Sequence, residues 1–271
     1  MKKILVTGAN GYIGSTLVNN LEGEITKLTR AEADLTNAEQ VDEFFKDKHF
    51  DVVIHCATAG GSRLSVDSAE VTHQNLQMFY NLVRNKKHHT KFINIGSGAE
   101  YDRTTNIAPI WNKNKFPTDP YGMSKHIINS MIQNMDDFYT IRIYAIFDEN
   151  ELDTRFIKSN IKRYINKEPM IIHKNKLMDF FYMKDFINVV EHYIESKSSP
   201  KEIDCTYEHT YSLSEISEMI NCLDEYRVVC NPGAEWDAPY FGNARTLKLL
   251  NIPLQGLQTG ITNTYRILQH G

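Results

Sequence analysis

KKILVTGANGYIG, residues 2–14, opens the chain, and the later elements take their places around it. Ile4, Leu5 and Val6 form an apolar run without polar alternation, which suits a strand buried on both faces of a parallel sheet. Thr7-Gly8-Ala9-Asn10-Gly11-Tyr12-Ile13-Gly14 comes next, and Ile13, Leu17, Val18 and Leu21 then recur at helical spacing. This pattern predicts strand, glycine-rich turn, helix. In that context Gly8 permits the tight turn, Gly11 lets the backbone approach a pyrophosphate, and Gly14 lets helix and strand pack closely. The turn and first helical residues, Asn10, Gly11, Tyr12, Ile13 and Gly14, would turn free N–H groups and a positive dipole end towards phosphates. Glycines also punctuate ordinary turns. The spacing G-x-x-G-x-x-G between a strand and a helix is what points to a bound dinucleotide.

Outward from this motif, Glu24 to Thr29 is expected to form the second strand, ending at Thr29-Arg30. In NAD-binding folds an acid at this end binds the ribose hydroxyls, whereas an arginine accommodates a 2′-phosphate. Thr29 and Arg30 stand there, and the next acids, Glu32 and Asp34, come later, so the cofactor expected is NADP(H), with NAD the alternative. Asp34, ahead of Leu35, either meets the adenine or initiates a turn, and Thr36 or Asn37 could cap a helix from Ala38 to Lys48. Asp51 to Ala57 reads as a third buried strand. The small residues Ala57-Thr58-Ala59-Gly60-Gly61 follow at its carboxyl end, where ligands of such sheets sit, so Cys56, Ala57 and Thr58 are candidate cofactor contacts. A long helix over 66–87 carries Asn75 on an otherwise apolar face. Asn75 is either a satisfied core amide or part of a proton relay.

Lys91 to Ile95 is a fourth strand running into Gly96-Ser97-Gly98-Ala99-Glu100-Tyr101. After a loop bearing Pro109, Pro117 and Pro120, Tyr121-Gly-Met-Ser-Lys125 opens a helix to about Asp136. Tyr121 and Lys125, four apart, share a helical face. A nearby ammonium favours a phenolate, which makes Tyr121 a plausible general acid/base, and a serine at the preceding strand end could hydrogen-bond the reacting oxygen.

Composition narrows the class. The 271 residues carry a net charge of −4 and 41% hydrophobic content, ordinary for a soluble enzyme and without the basic bias of a nucleic-acid binder. No apolar run approaches the ~20 residues of a membrane span, and because the first strand opens at once no signal peptide is expected. Cys56, Cys205, Cys222 and Cys230 lack C-x-x-C spacing and read as free thiols in a reducing cytoplasm, with no metal expected.

These motifs together resemble the extended short-chain dehydrogenases/reductases of the NAD-dependent epimerase/dehydratase family, which act on nucleotide sugars. The resemblance spans nearly the whole chain: TGANGYIG at 7–14, Asp34-Leu35, His55-Cys-Ala57, Asn75, Ser97 four residues before Tyr101, Tyr121 with Lys125, and Asp179-Phe-Phe-Tyr-Met-Lys-Asp185, where Met178 replaces the family's arginine. It implies Ser97, Tyr121 and Lys125 as the catalytic set with support from Asn75, with Tyr121 and Lys125 also contacting the cofactor and Lys125 holding its nicotinamide ribose. It also implies a nucleotide-diphosphate sugar substrate, a homodimer through helices 66–87 and 120–136, and a role in deoxysugar or surface-polysaccharide precursors. Residues 28–34 and 54–61 look most like the GDP-fucose synthase branch of NADPH-dependent 4-keto sugar reductases. The departures are informative too. Ala99 and Asn150 stand where that branch keeps the cysteine and histidine of its epimerase step. Gly98-Ala99 fill the positions where dehydratases carry Asp-Glu, and Glu100 is one place out of that register.

The fold expected is α/β, a Rossmann-type doubly wound parallel sheet with a small interleaved C-terminal substrate domain. Residues 1–150 with about 178–205 would bind the dinucleotide, and about 151–177 with 206–271 the nucleotide sugar. Arg155, Lys158 and Arg245 are candidates for its diphosphate, and Asp185 is expected to cap a helix over 186–196. The activity expected is NAD(P)H-dependent reduction of a sugar C4 ketone. The alternatives are a 4-epimerase or dehydrogenase with tightly bound NAD and, less favoured because Tyr121 and Lys125 are both present, a non-catalytic dinucleotide-binding regulator.

Overall fold

The computed structural model describes residues 1–62, 66–101, 116–231 and 235–270; Pro109 lies outside them. The opening motif folds as its pattern predicts: β1 (Lys3–Thr7), the glycine turn, then α1 (Tyr12–Asn20). β2 (Glu24–Leu28), α2 (Ala38–Phe45), β3 (Phe50–His55), α3 (Glu70–Val83) and β4 (His89–Ser97) alternate after it. A 3₁₀ turn, Gly98–Glu100, leads on towards α4 (Pro120–Ile132) and β5 (Phe138–Ile143). Next along the chain come β6 (Ile146–Phe147), α5 (Phe156–Ile165), β7 (Met170–Ile171), β8 (Leu177–Met178), β9 (Phe181–Tyr182), α6 (Met183–Glu195) and β10 (Glu202–Cys205). The six-stranded sheet has the order β10-β5-β4-β3-β1-β2. The chain starts in the middle, steps out to β2, then returns to β3 on the other side of β1. The carboxyl ends of β1 and β3 are therefore the switch point, where a doubly wound sheet binds its ligand.

The described residues divide into two compact units. One is drawn from described residues within 1–101, 116–142 and 190–203, the other from those within 143–189 and 204–270. In the first, β1 and β3 run parallel with Leu5 opposite Val53 and Val6 opposite Ile54, all fully buried, which accounts for their unbroken apolar sequence. Phe79 of α3 meets Phe92 of β4 edge-on at 5.9 Å, and Phe92 stacks on Phe138 at 4.8 Å. Truncating such a ring costs about 3–5 kcal/mol, and with Ile128 and Ile132 of α4 in the same core this cluster holds both helices on the sheet. α2 is capped by Asn37, whose side chain accepts from Gln40 N–H at 3.1 Å, and α4 by Asp119, which accepts from Gly122 N–H at 2.8 Å, with Pro120 in the first turn. α3 is shorter than its periodicity predicts, since the chain at 66–69 precedes the helix.

In the second unit β11 (Tyr211–Ser212) leads into α7 (Leu213–Asn221), capped by Ser212 and Glu215, and β12 (Cys230–Asn231), α8 (Arg245–Leu249) and α9 (Leu257–His270) complete it. Among the described residues, two-stranded ladders pair β11 with β8, β12 with β7, and β6 with β9. A core of Phe147, Ile157, Ile161, Tyr164, Ile216 and Ile261 joins α5, α7 and α9. Asp185 does not cap a helix. It lies inside the first turn of α6, fully buried, and its carboxylate accepts from Gln255 N–H (2.7 Å), Gly256 N–H (2.9 Å) and the Tyr207 hydroxyl (2.5 Å). It thus secures the segment entering α9. The companion acid Asp179 accepts from Gly242 N–H (2.7 Å) and the hydroxyls of Thr210 (3.0 Å) and Thr206, and burial lifts it to about 6. Among the described residues no helix is long and apolar enough to cross a membrane.

Candidate active site

The glycine turn has little freedom to be anything else. Gly8 has φ +64°, and a Cβ there would stand 2.7 Å from the Ala57 nitrogen. A side chain would be strained by the backbone and would push β3 away. Gly14 is held to the turn itself, since a Cβ would meet the Gly8 carbonyl oxygen at 2.3 Å, which closes α1 over the loop. α2 and α4 have side-chain caps, but α1 starts at Gly11 with none. An uncapped helix start at the switch point, with the backbone brought this close, fits a pyrophosphate.

At the end of β2 Arg30 is exposed, and its neighbour behaves differently from its sequence position. Glu32 turns back so that its carboxylate accepts from both the N–H (2.8 Å) and the hydroxyl of Thr29. An acid therefore does stand at the strand end, delivered by a three-residue reversal. Asp34 Oδ1 accepts from the N–H (2.9 Å) and hydroxyl (2.8 Å) of Thr36, the bonding of a residue that initiates a turn. Leu35 lies in the core, and its carbonyl accepts from Asn81 Nδ2 at 2.9 Å.

At the end of β3, Ala57 N–H donates to the Thr7 hydroxyl at 3.2 Å, tying the loop to β1. Burial pushes the Cys56 thiol up to about 12, so it carries no thiolate chemistry near neutral pH. Asn75 is fully engaged. Its Oδ1 accepts from Ala59 N–H (2.7 Å) and the Thr58 hydroxyl (3.3 Å), and its Nδ2 donates to the Ala59 carbonyl (3.0 Å) and Ser124 Oγ (2.9 Å). Ser124 in turn donates to the Tyr121 carbonyl at 2.7 Å. Asn75 thus clips the loop after β3 to the start of α4, the bonding of a satisfied amide that positions its neighbours. Asn75→Ala should cost about 2–4 kcal/mol by leaving these buried groups unpaired. An unchanged urea midpoint for that variant would contradict it.

Ser97 ends β4 and Tyr121 opens α4, and the two are joined by close packing. A Cβ on Gly122 would meet the Ala99 carbonyl at 2.4 Å, so only glycine lets α4 sit against the turn that carries Ser97. The Tyr121 ring lies against Gly61, where a Cβ would come within 2.9 Å. Beneath it, Lys125 is 4% exposed; its Nζ donates to the Ile95 carbonyl at 2.9 Å and lies 5.7 Å from the Tyr121 ring centre. Burial lowers this lysine to about 8, with Glu100 opposing the shift. His55, bonded through Nδ1 to the Thr7 hydroxyl at 2.9 Å, is lowered to about 3, by burial first and Lys125 second, and stays neutral. Glycine loop, hydroxyl, phenol and amine are all gathered at one end of the first unit's sheet.

Sequence reasoning missed Glu32 at the strand end, Gly122 under α4, and the ion pair of Glu100 with Arg142. Glu32 offered a signal, an acid three residues after a threonine at a predicted strand end. Arg142 offered none. In the second unit Lys158 is already committed to the Glu151 carbonyl (2.7 Å) and the Asp153 carboxylate (2.9 Å), while Arg245 is exposed at the start of α8.

The profile of the NAD dependent epimerase/dehydratase family matches residues 4–206. A dTDP-4-dehydrorhamnose reductase of Burkholderia thailandensis is 41% identical over 70 residues, a stretch that is 25% of this chain and 22% of that protein. A GDP-mannoheptose C4 reductase from Campylobacter jejuni with NADP bound has the same fold, with TM-score 0.80 and 18% identity over 99% of this chain and 98% of the other. So does a UDP-glucuronic acid 4-epimerase from Bacillus cereus in complex with NAD, with TM-score 0.76 and 19% identity over 99% of both chains.

Proposed function

The chain belongs to the NAD dependent epimerase/dehydratase family, and from that premise we propose that it reduces the C4 ketone of a nucleotide-linked sugar with NADPH. One observation carries this reading: a phenol on α4, a buried amine beneath it, and a serine on the turn that Gly122 lets pack against the same helix. Gly8 to Gly14 would hold the pyrophosphate of the cofactor and Thr29 and Arg30 its adenosine ribose, and the bound cofactor would supply the hydride. Everything else falls to side chains of the protein. Tyr121 donates its hydroxyl proton to the alkoxide that develops on the sugar oxygen, and Ser97 donates a hydrogen bond to that oxygen. The ammonium of Lys125, 5.7 Å from the Tyr121 ring centre, favours the phenolate left behind. The C4 reductase of C. jejuni, by its description an NADP-bound enzyme on a GDP-linked sugar, supports this reading by analogy of fold.

The test is direct. Purified protein with NADPH is offered GDP-, dTDP- and UDP-linked 4-keto sugars, and oxidation of NADPH is followed by absorbance; no oxidation with any of them would remove the reading. One observation favours a second, the 4-epimerase with retained NAD: Glu32 stands at the end of β2, where an acid binds ribose hydroxyls. Substitution separates the two. If Arg30 meets a 2′-phosphate, Arg30→Ala should weaken NADPH about 10–100-fold and NADH little, the range of a charged hydrogen bond. If Glu32→Gln instead weakens NADH while Arg30→Ala affects both cofactors alike, the NAD reading stands.

A further inference from the structure

We propose that Glu100 and Arg142 form a positioning pair for Ser97, fixing its hydroxyl as a hydrogen-bond donor to the reacting oxygen; this rests on the C4-carbonyl reading above. Both residues are deeply buried, at 1% and 2% exposure. Glu100 spends its two carboxylate oxygens on different donors. Oε1 accepts from Ser97 N–H at 3.1 Å, and Oε2 accepts from Arg142 Nε at 2.9 Å and Nη2 at 2.8 Å. Arg142, from β5, also reaches Glu202 of β10 through Nη2 at 2.8 Å, and its guanidinium lies 5.0 Å from the Tyr101 ring centre. Glu202 in turn accepts from Asn129 Nδ2 of α4 at 2.9 Å, and the Glu100 carbonyl is bonded to His126 Nδ1 of α4 at 3.0 Å. The turn after β4 is thereby tied to β5, to β10 and to the helix that carries Tyr121 and Lys125.

The consequence falls on one hydrogen atom. A serine hydroxyl has one proton to give and two lone pairs to accept with. Held by Glu100, the turn brings Ala99 N–H to Ser97 Oγ at 3.2 Å, which occupies the oxygen as an acceptor and leaves the O–H to donate. A carbonyl becoming an alkoxide needs a donor in that place. The same geometry gives Glu100 a role unlike that of the dehydratase acid one register away. A Cβ on Gly96 would come 2.5 Å from Glu100 Oε1, so the carboxylate packs against the strand and is turned into the core against Arg142. It holds the turn and does not protonate the sugar.

Glu100→Gln tests this with almost no change in volume, because glutamine has one acceptor oxygen where glutamate uses two. Either the Ser97 N–H or Arg142 loses its bond to residue 100. The kcat for NADPH-dependent reduction should fall about 10-fold, the scale of a small misplacement, with the KM for NADPH within about twofold. In a Ser97→Ala background the same substitution should lower kcat by less than about twofold, since no hydroxyl remains to be aimed. A purely structural pair would lower kcat equally in both backgrounds, and that result would overturn the proposal. Should Glu100→Gln fail to fold, Arg142→Lys goes through the same cycle, keeping the charge while losing the two-pronged contact. A crystal structure of either variant gives a readout that needs no substrate. Loss of the Ser97–Ala99 contact is expected, and an unaltered turn would overturn the pairing even if no nucleotide sugar were turned over. Absence of turnover in the unmodified protein would instead remove the C4-ketone reading.

Discussion

Tyr121→Phe is expected to lower kcat by about 10²–10⁴-fold, the contribution of a positioned general acid, while NADPH still binds within a few-fold of the unmodified affinity. The substitution removes one oxygen. The ring keeps its seat against Gly61, and the Ser124 bond to the Tyr121 backbone carbonyl does not depend on the side chain. α4 and the loop after β3 should therefore stay in place, and the loss should reside in the chemical step. Single-turnover measurement of hydride transfer, beside a fluorescence titration with NADPH, separates the two quantities. If turnover survives at more than a tenth of its rate, the proton comes from elsewhere and Tyr121 loses its role.

Lys125→Met should have an effect of similar size on turnover and a second, pH-dependent effect on stability. Burial holds Lys125 at about 8 in the folded protein, against an ordinary value of 10.5. Between those limits the unfolded chain binds a proton that the folded chain lacks, so this group makes stability rise with pH from about 8 to about 10.5. Below about 8 the fold carries a buried ammonium, at a cost on the order of 3 kcal/mol relative to the neutral amine. Methionine has similar length and no charge, so the variant should lack that part of the slope. Urea unfolding of both proteins at about pH 7 and about pH 10 would show it as a stability difference between them that changes with pH. Parallel curves would mean that the lysine titrates as it does in water. At neutral pH the variant should also lose phenolate stabilisation, and with it turnover, though the glycine cradle is intact.

The two substitutions bear on different parts of one site, and their joint outcome is diagnostic. Loss of turnover in both with NADPH binding retained supports acid catalysis by Tyr121 aided by Lys125. Loss of cofactor binding in Lys125→Met alone would assign the amine to the nicotinamide ribose first and to the tyrosine second.

Much of this protein was legible along the chain because the signals are local. An apolar run, a glycine triplet and a helical repeat within the first 21 residues determine the first strand–turn–helix unit, since backbone conformation and nearest-turn hydrogen bonds are settled over a few residues. The family and its Rossmann-type sheet emerged from a handful of such stretches, and Tyr121 and Lys125 from their spacing of four. Asn37 was likewise readable as a cap, because a cap bonds three residues away. Contacts across the sheet or beyond a chain reversal were out of reach of the sequence. Asn75 read from its spacing as a core amide, with a proton relay as the alternative, and the partners that its amide actually bonds lie 16 and 49 positions away. Asp185 was expected to cap its own helix, but tertiary packing gives it the N–H groups of residues 70 and 71 positions on. Glu32 stood outside the strand end in sequence and inside it in space, because the chain doubles back to Thr29. Glu100 met Arg142 only because β4 and β5 are neighbours in the sheet, which places residues 42 positions apart within 2.8 Å. Short-range periodicity determined the elements and the chemical groups. Sheet order and helix packing, which depend on burying many side chains at once, decided which of those groups met and in which direction each one bonds.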